Sequence, residues 1–145
     1  MARLLRWLAL AAGVACVAIG LYHLVLGIGS VPGEGSGDTA AGVTVDSRER
    51  FYNAIFVGYG LAWLWAARQS PIPAAAVRWL AGLLFLGGIG RVISVAWYGW
   101  PHGFQVALAV VELTVPLVYF WLAPADERAT RTQPAGTQPT ANPTA

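Results

Sequence analysis

The chain has 145 residues, 57% of them hydrophobic and only 11% charged. Ordinary soluble domains carry about 25% charged residues, so this chain lacks their polar surface, and its net charge of +2 is too small and dispersed for a nucleic-acid partner. Its single cysteine, Cys16, rules out an intramolecular disulfide and offers no cysteine-built metal site.

Four apolar stretches follow in chain order. An α-helix needs about 20 apolar residues to cross the hydrocarbon of a bilayer, and residues 4–28 supply that length at once. Their opening, two arginines and then "WLALAAGVAC", imitates a lipoprotein signal. Gly13, however, stands where such signals want Leu, and the apolar run continues past the roughly 7–15 residues of a signal peptide. The stretch is therefore read as a retained span. Residues 48–67 make a second span, its helix starting near Ser47. Residues 77–98 and 104–122 make the third and fourth. The expectation is an all-α protein, a four-transmembrane-helix bundle within residues 1–122.

The connectors differ in kind. Residues 30–46 are Gly-rich and acidic, a solvated loop. "ARQSPIPAAAVR" is a tight turn with Pro71 and Pro73, and "YGWPHG" is a hairpin broken by Gly and Pro. Residues 123–145, rich in Pro, Thr and Ala, read as a disordered cytoplasmic tail. Arg3, Arg6, Arg68, Arg78, Arg128 and Arg131 share one side, against Arg48 and Arg50 on the other. The positive-inside rule then puts both termini in the cytoplasm of a multi-pass inner-membrane protein.

One arginine breaks the pattern. In "FLGGIGRVISVAWYGW", Arg91 lies inside the third span, where a charge costs roughly 2.5–3.5 kcal/mol on insertion scales. Glu112, the only acid between Gly99 and Ala125, lies in the fourth. Counting back to the hairpin at 1.5 Å per residue, both sit roughly 12–14 Å below it. Adjacent antiparallel helices would bring them to one level. Gly87, Gly88 and Gly90 give Arg91 a thin helix face. Pro116, with no N–H, leaves the Glu112 carbonyl without its helical partner, a second acceptor for the guanidinium.

Further polar groups lie in the same outer half. His23 falls about one and a half turns before the first span ends, and Asp46, Ser47, Arg48, Glu49, Arg50 and Asn53 open the second. The Asp46–Glu49 spacing resembles a capping box that would start the helix. Asp46–Arg50 and Glu49–Asn53 can pair at i,i+4, or Arg50 can turn inward toward Glu112. His102 reads as hairpin surface. Ala54, Gly58, Ala62 and Ala66 form a small-residue stripe expected to pack within the bundle. No HExxH, Cys/His metal spacing or nucleophile elbow occurs, so no cofactor or metal is expected.

"DSRERFYNAIFVGYGLAWLW", "FLGGIGRVISVAWYGWPHGF" and "VVELTVPLVYFW" together resemble the bacterial membrane family catalogued as domain of unknown function 4345. The resemblance rests on Arg50 and Phe51; on Gly87, Gly88, Arg91 and Ser94; on Gly99 and Pro101; and on Glu112 and Pro116. Glu49 stands where the family often has Asn before its Arg-aromatic pair. The resemblance covers about residues 4–122 and implies a four-helix membrane protein, with no established activity attached.

The sequence supports three functional readings. The leading one is a non-catalytic membrane protein binding a lipid-like or small anionic ligand, or a membrane-protein partner, at an outer-leaflet polar pocket. Its candidate residues are Arg91, Glu112, Arg50, Asn53 and His23, serving as ligand contacts or as a structural ion pair. The second is an intramembrane enzyme, an isomerase or a redox-linked protein resembling DoxX, in which Glu112 and His23 exchange protons with the substrate; it requires both side chains in one cavity. The third is proton- or ion-coupled transport through Glu112.

Overall fold

Residues Ala2–Leu26 form α1, a helix rich in Leu, Ala and Val and free of proline. Gly27, at φ +61°, turns the chain out of that helix into a single 3-10 turn, Gly27–Ser30. Helix α2 spans Ala40–Arg68, α3 Ala74–Tyr98 and α4 Gly103–Arg131. The computed structural model describes residues 2–30 and 39–131, with side chains as far as Pro124. Among the described residues the fold is all-α, with four helices and no strand.

Several ends differ from the sequence expectation. Helix α2 begins at Ala40, capped by Thr39, whose hydroxyl accepts the Gly42 N–H at 3.0 Å. The capping-box spacing at Asp46–Glu49 therefore lies inside the helix, and part of the expected loop is helical. Helix α4 continues to Arg131, past the expected end of the fourth span at Leu122. "ADERATR" is rich in the helix formers Ala, Glu and Arg, enough to carry the helix past Pro124. Residues 132–145, the rest of the expected tail, lie outside the described residues, as do residues 31–38 of the loop.

The helices pair as two antiparallel hairpins, α1 with α2 and α3 with α4. In the first, glycines bring the backbones together. A Cβ on Gly60 would lie 2.8 Å from the Val17 N and 2.9 Å from the Gly13 carbonyl. One on Gly20 would lie 3.1 Å from the Asn53 carbonyl. The expected stripe of Ala54, Gly58, Ala62 and Ala66 does not form this seam. Gly58 faces open space and Ala54 is exposed, while Ala62 and Ala66 pack at the core of the joined end, so only that half of the stripe packs within the bundle. In the second hairpin Gly88 is the close-approach position, where a Cβ would meet Leu113 at 2.8 Å. Gly87 is open toward the Glu112 carboxylate and Gly90 faces open space, so the thin face at Arg91 narrows to one residue.

The hairpins join at one end only. Leu5, Ala9, Trp63, Val77, Tyr119 and Leu122 share a core there. Tyr119 donates its hydroxyl hydrogen to the Leu8 carbonyl at 2.8 Å, and Tyr59 donates to that of Leu80 at 2.7 Å. Each phenol thus crosses from one hairpin to the other. Arg6 also donates to the Gln69 carbonyl, tying the start of α1 to the α2–α3 turn. Toward the other end the hairpins separate.

Three helical segments, Arg3–Ser30, Ala74–Tyr98 and Gly103–Pro124, are long and apolar enough to cross a membrane. Helix α2 falls short of that standard because Asp46, Arg48, Glu49, Arg50 and Asn53 occupy its first half. Six of the seven tryptophans are exposed, and they fall in two bands. Trp7, Trp65, Trp79 and Trp121 ring the joined end, while Trp97 and Trp100 mark the open end. From Trp79 to Trp97 along α3 is about 27 Å of helix, close to the roughly 30 Å of a bilayer's hydrocarbon. Aromatic rings with a polar edge favour the two interfaces of a membrane.

Candidate functional site

Where the hairpins part they enclose a cleft of about 1000 Å³, lined by residues from all four helices. From Glu49 to Tyr59, both in its wall, α2 covers about 15 Å. Toward the joined end the lining is Phe56, Tyr59, Leu83 and Leu84, with the Tyr59 hydroxyl already spent on Leu80. Toward the open end the polar residues His23, Glu49, Asn53, Arg91, Gln105 and Glu112 stand among apolar and aromatic ones such as Trp100, Phe104 and Val106. The cavity thus carries its polar groups beneath the aromatic residues of the open end and is apolar toward the joined end.

The contact between Arg91 and Glu112 is direct. Arg91 Nε donates to Glu112 Oε2 at 2.7 Å, with the arginine side chain 35% exposed and the glutamate 17%. The second arm differs from expectation. Arg91 Nη1 donates to Gln105 Oε1 at 2.6 Å, and the Glu112 carbonyl left free by Pro116 is not used. Gln105 precedes Glu112 by two helical turns, so both reach the guanidinium from one face of α4. That spacing is the signal that could have identified Gln105. Arg91 Nη2 has no hydrogen-bond partner among the described residues.

Arg50 does not join this group. Its Nε donates to Asp46 Oδ2 at 2.8 Å, and its Nη1 donates to the carbonyls of Leu24 and Val25 at 2.8 and 3.0 Å. Those carbonyls belong to the last turn of α1, where no helical N–H remains to meet them. The cation also complements the negative end of the helix dipole. Asp46 Oδ1 in turn accepts the Ile28 N–H at 2.9 Å. The Arg50 hydrogen bond, together with that N–H, holds the Asp46 carboxyl below its usual range. Arg50 and Asp46 therefore clasp the end of α1.

Asn53 lines the cleft and donates to the Glu49 carbonyl at 2.8 Å and to Glu49 Oε2 at 3.3 Å. His23 lines it from α1, with Nδ1 2.6 Å from Ser30 Oγ. Ser30 donates its one hydroxyl hydrogen to the Gly27 carbonyl at 2.6 Å, so the histidine Nδ1–H is the donor in that pair. His23 and Glu112 thus share one cavity from opposite hairpins, and no hydrogen bond joins them. His102 stands at the rim, its Nδ1 accepting the Phe104 N–H that opens α4. Among the described residues no group of His, Cys, Asp or Glu is arranged to hold a metal.

Apolar helices, tryptophans in two bands and an open cleft between the hairpins describe a membrane-type helical protein. The chain belongs to the family described as domain of unknown function 4345, whose model matches residues 4–123. No curated protein and no solved structure matches it.

Proposed function

We propose that this is a multi-pass membrane protein that holds a lipid-like molecule in the cleft between its hairpins, without catalysis. The cleft carries the reading. It is polar where His23, Asn53, Arg91 and Glu112 stand and apolar toward Phe56 and Leu84. A single-chain amphiphile has that polarity, and the roughly 10 Å of α3 from Arg91 to Leu84 suits a short chain. In this reading α2 is the fourth span, bracketed by Phe51 and Trp65 as α3 is by Trp79 and Trp97. Both termini face the cytoplasm of the inner membrane, because the arginines at the joined end outnumber those at the cleft mouth. The cleft then opens in the outer leaflet.

The test is extraction and mass spectrometry of lipids co-purified with the wild-type chain and with Leu84→Trp, which fills the apolar floor. Wild type should carry a bound amphiphile at near-stoichiometric ratio, and the variant should lose most of it. Equal loading of the two proteins would refute the cleft as the site.

A further inference from the structure

We propose that the cleft selects an amphiphile whose head is uncharged and bears hydroxyl groups, of the monoacylglycerol type. The inference rests on the cleft reading above and narrows it against the anionic ligand that the sequence suggested.

The charges come first. Arg91 is the one cation in the described lining, against Glu49 and Glu112, with His23 and His102 counted as neutral. Its charge is already met by Glu112 at 2.7 Å. Arg50, the second cation expected at the pocket, is spent on Asp46 and the end of α1. An anionic head would therefore face two carboxylates with no free cation to receive it. Among apolar walls such repulsion is much stronger than in water.

The unspent hydrogen-bonding groups make the positive case. Arg91 Nη2 is a donor without a partner among the described residues. With His23 Nδ1 engaged by Ser30, its other ring nitrogen, Nε2, has no hydrogen-bond partner among the described residues and can accept one. Both residues line the cleft, from opposite hairpins, one with hydrogen to give and the other with a lone pair to fill. A sulfate or carboxylate has no proton for His23, and a quaternary ammonium has no acceptor for Arg91. A hydroxyl does both, and the two hydroxyls of a monoacylglycerol can serve both walls.

The test uses three photoreactive probes with the same diazirine-bearing chain: a monoacylglycerol, an alkyl sulfate and an alkyl trimethylammonium. Each is crosslinked to the full chain in neutral detergent, and adducts are mapped to the peptides carrying Phe56 and Leu84. The monoacylglycerol should label the cleft at least about fivefold more than either charged probe, equivalent to about 1 kcal/mol of preference. Glu112→Gln keeps an acceptor for Arg91 but removes a negative charge, and should raise alkyl sulfate labelling severalfold. Glu49→Gln, which alters no contact between helices, should act in the same direction should Glu112→Gln fail to fold. Equal or stronger labelling by either charged probe in wild type overturns the head-group assignment. So does alkyl sulfate labelling that neither carboxylate substitution raises. Labelling confined to the outer faces of the helices, with every probe, overturns instead the reading that the cleft holds an amphiphile.

Discussion

Arg91 Nε and Glu112 Oε2 lie 2.7 Å apart, joining two helices at a level where neither charge is well exposed. From Arg91 to Trp97 is about 9 Å of helix, which sets the pair beneath the aromatic band of the open end. Losing one partner would strand the other in a poorly solvated place. Gln105, on Nη1, makes the arginine the centre of a three-residue network.

Arg91→Leu and Glu112→Leu should each destabilise the protein by about 1–3 kcal/mol, less than for breaking a fully buried pair, because Arg91 is about a third exposed. The double variant should regain more than half of that loss, because it leaves no stranded charge. Unfolding of the four proteins in one detergent measures the cycle. Singles and double that are equally harmed would show that the pair is not the unit.

How much of this was legible in the sequence depended on whether a residue's partner could be located by counting. Arg91 and Glu112 could be matched because both depths are measured from one short hairpin. Arg50 could not, because its partners are backbone carbonyls of Leu24 and Val25, which no side-chain pattern announces. The start of α2 was concealed because Gly42 and the polar residues after it resemble a loop, and Thr39 is an ordinary cap only in retrospect. The α1 seam is legible in the residue spacing. Ala9, Gly13, Cys16, Gly20 and Gly27 recur at steps of three, four and seven, the heptad spacing of one helix face, and all are buried.

That seam separates two glycines of the same helix. Gly60→Ala places a Cβ against the backbone of Val17 and Gly13, atoms that cannot yield without parting the helices. It should cost about 2–3 kcal/mol, the upper range for overpacking. Gly58→Ala meets nothing within 4 Å and should be neutral or stabilising by up to about 1 kcal/mol through helix propensity. Thermal unfolding of both variants checks the contrast. Equal effects would mean that α1 and α2 do not meet at Gly60.

Gly27 should be intolerant for two reasons that a cycle can separate. At φ +61° an L-residue is strained by about 1–2 kcal/mol. Its Cβ would also fall on the Asp46 carboxylate and crowd Arg50. Gly27→Ala should therefore destabilise more than Asp46→Ala. The double variant should cost less than the sum of the two, because removing the carboxylate removes the collision. Strict additivity in unfolding measurements would leave backbone strain as the only cause.

The same clasp sets an acid limit. The Arg50 hydrogen bond, first, and the Ile28 N–H hold the folded Asp46 carboxyl below its ordinary value of 3.8. A carboxyl with a lowered folded pKa binds fewer protons in the folded state, so its stabilisation is complete above the ordinary value. It is lost as pH falls through the lower folded value. The gap in melting temperature between wild type and Asp46→Asn should therefore stay constant from neutral pH down to about pH 5, one unit above the unfolded carboxyl. It should close only in stronger acid. Arg50 remains charged throughout that range, so the closing gap reports the aspartate alone. A gap that shrinks between pH 7 and pH 5 would assign the clasp's pH dependence to a different group and detach it from Asp46.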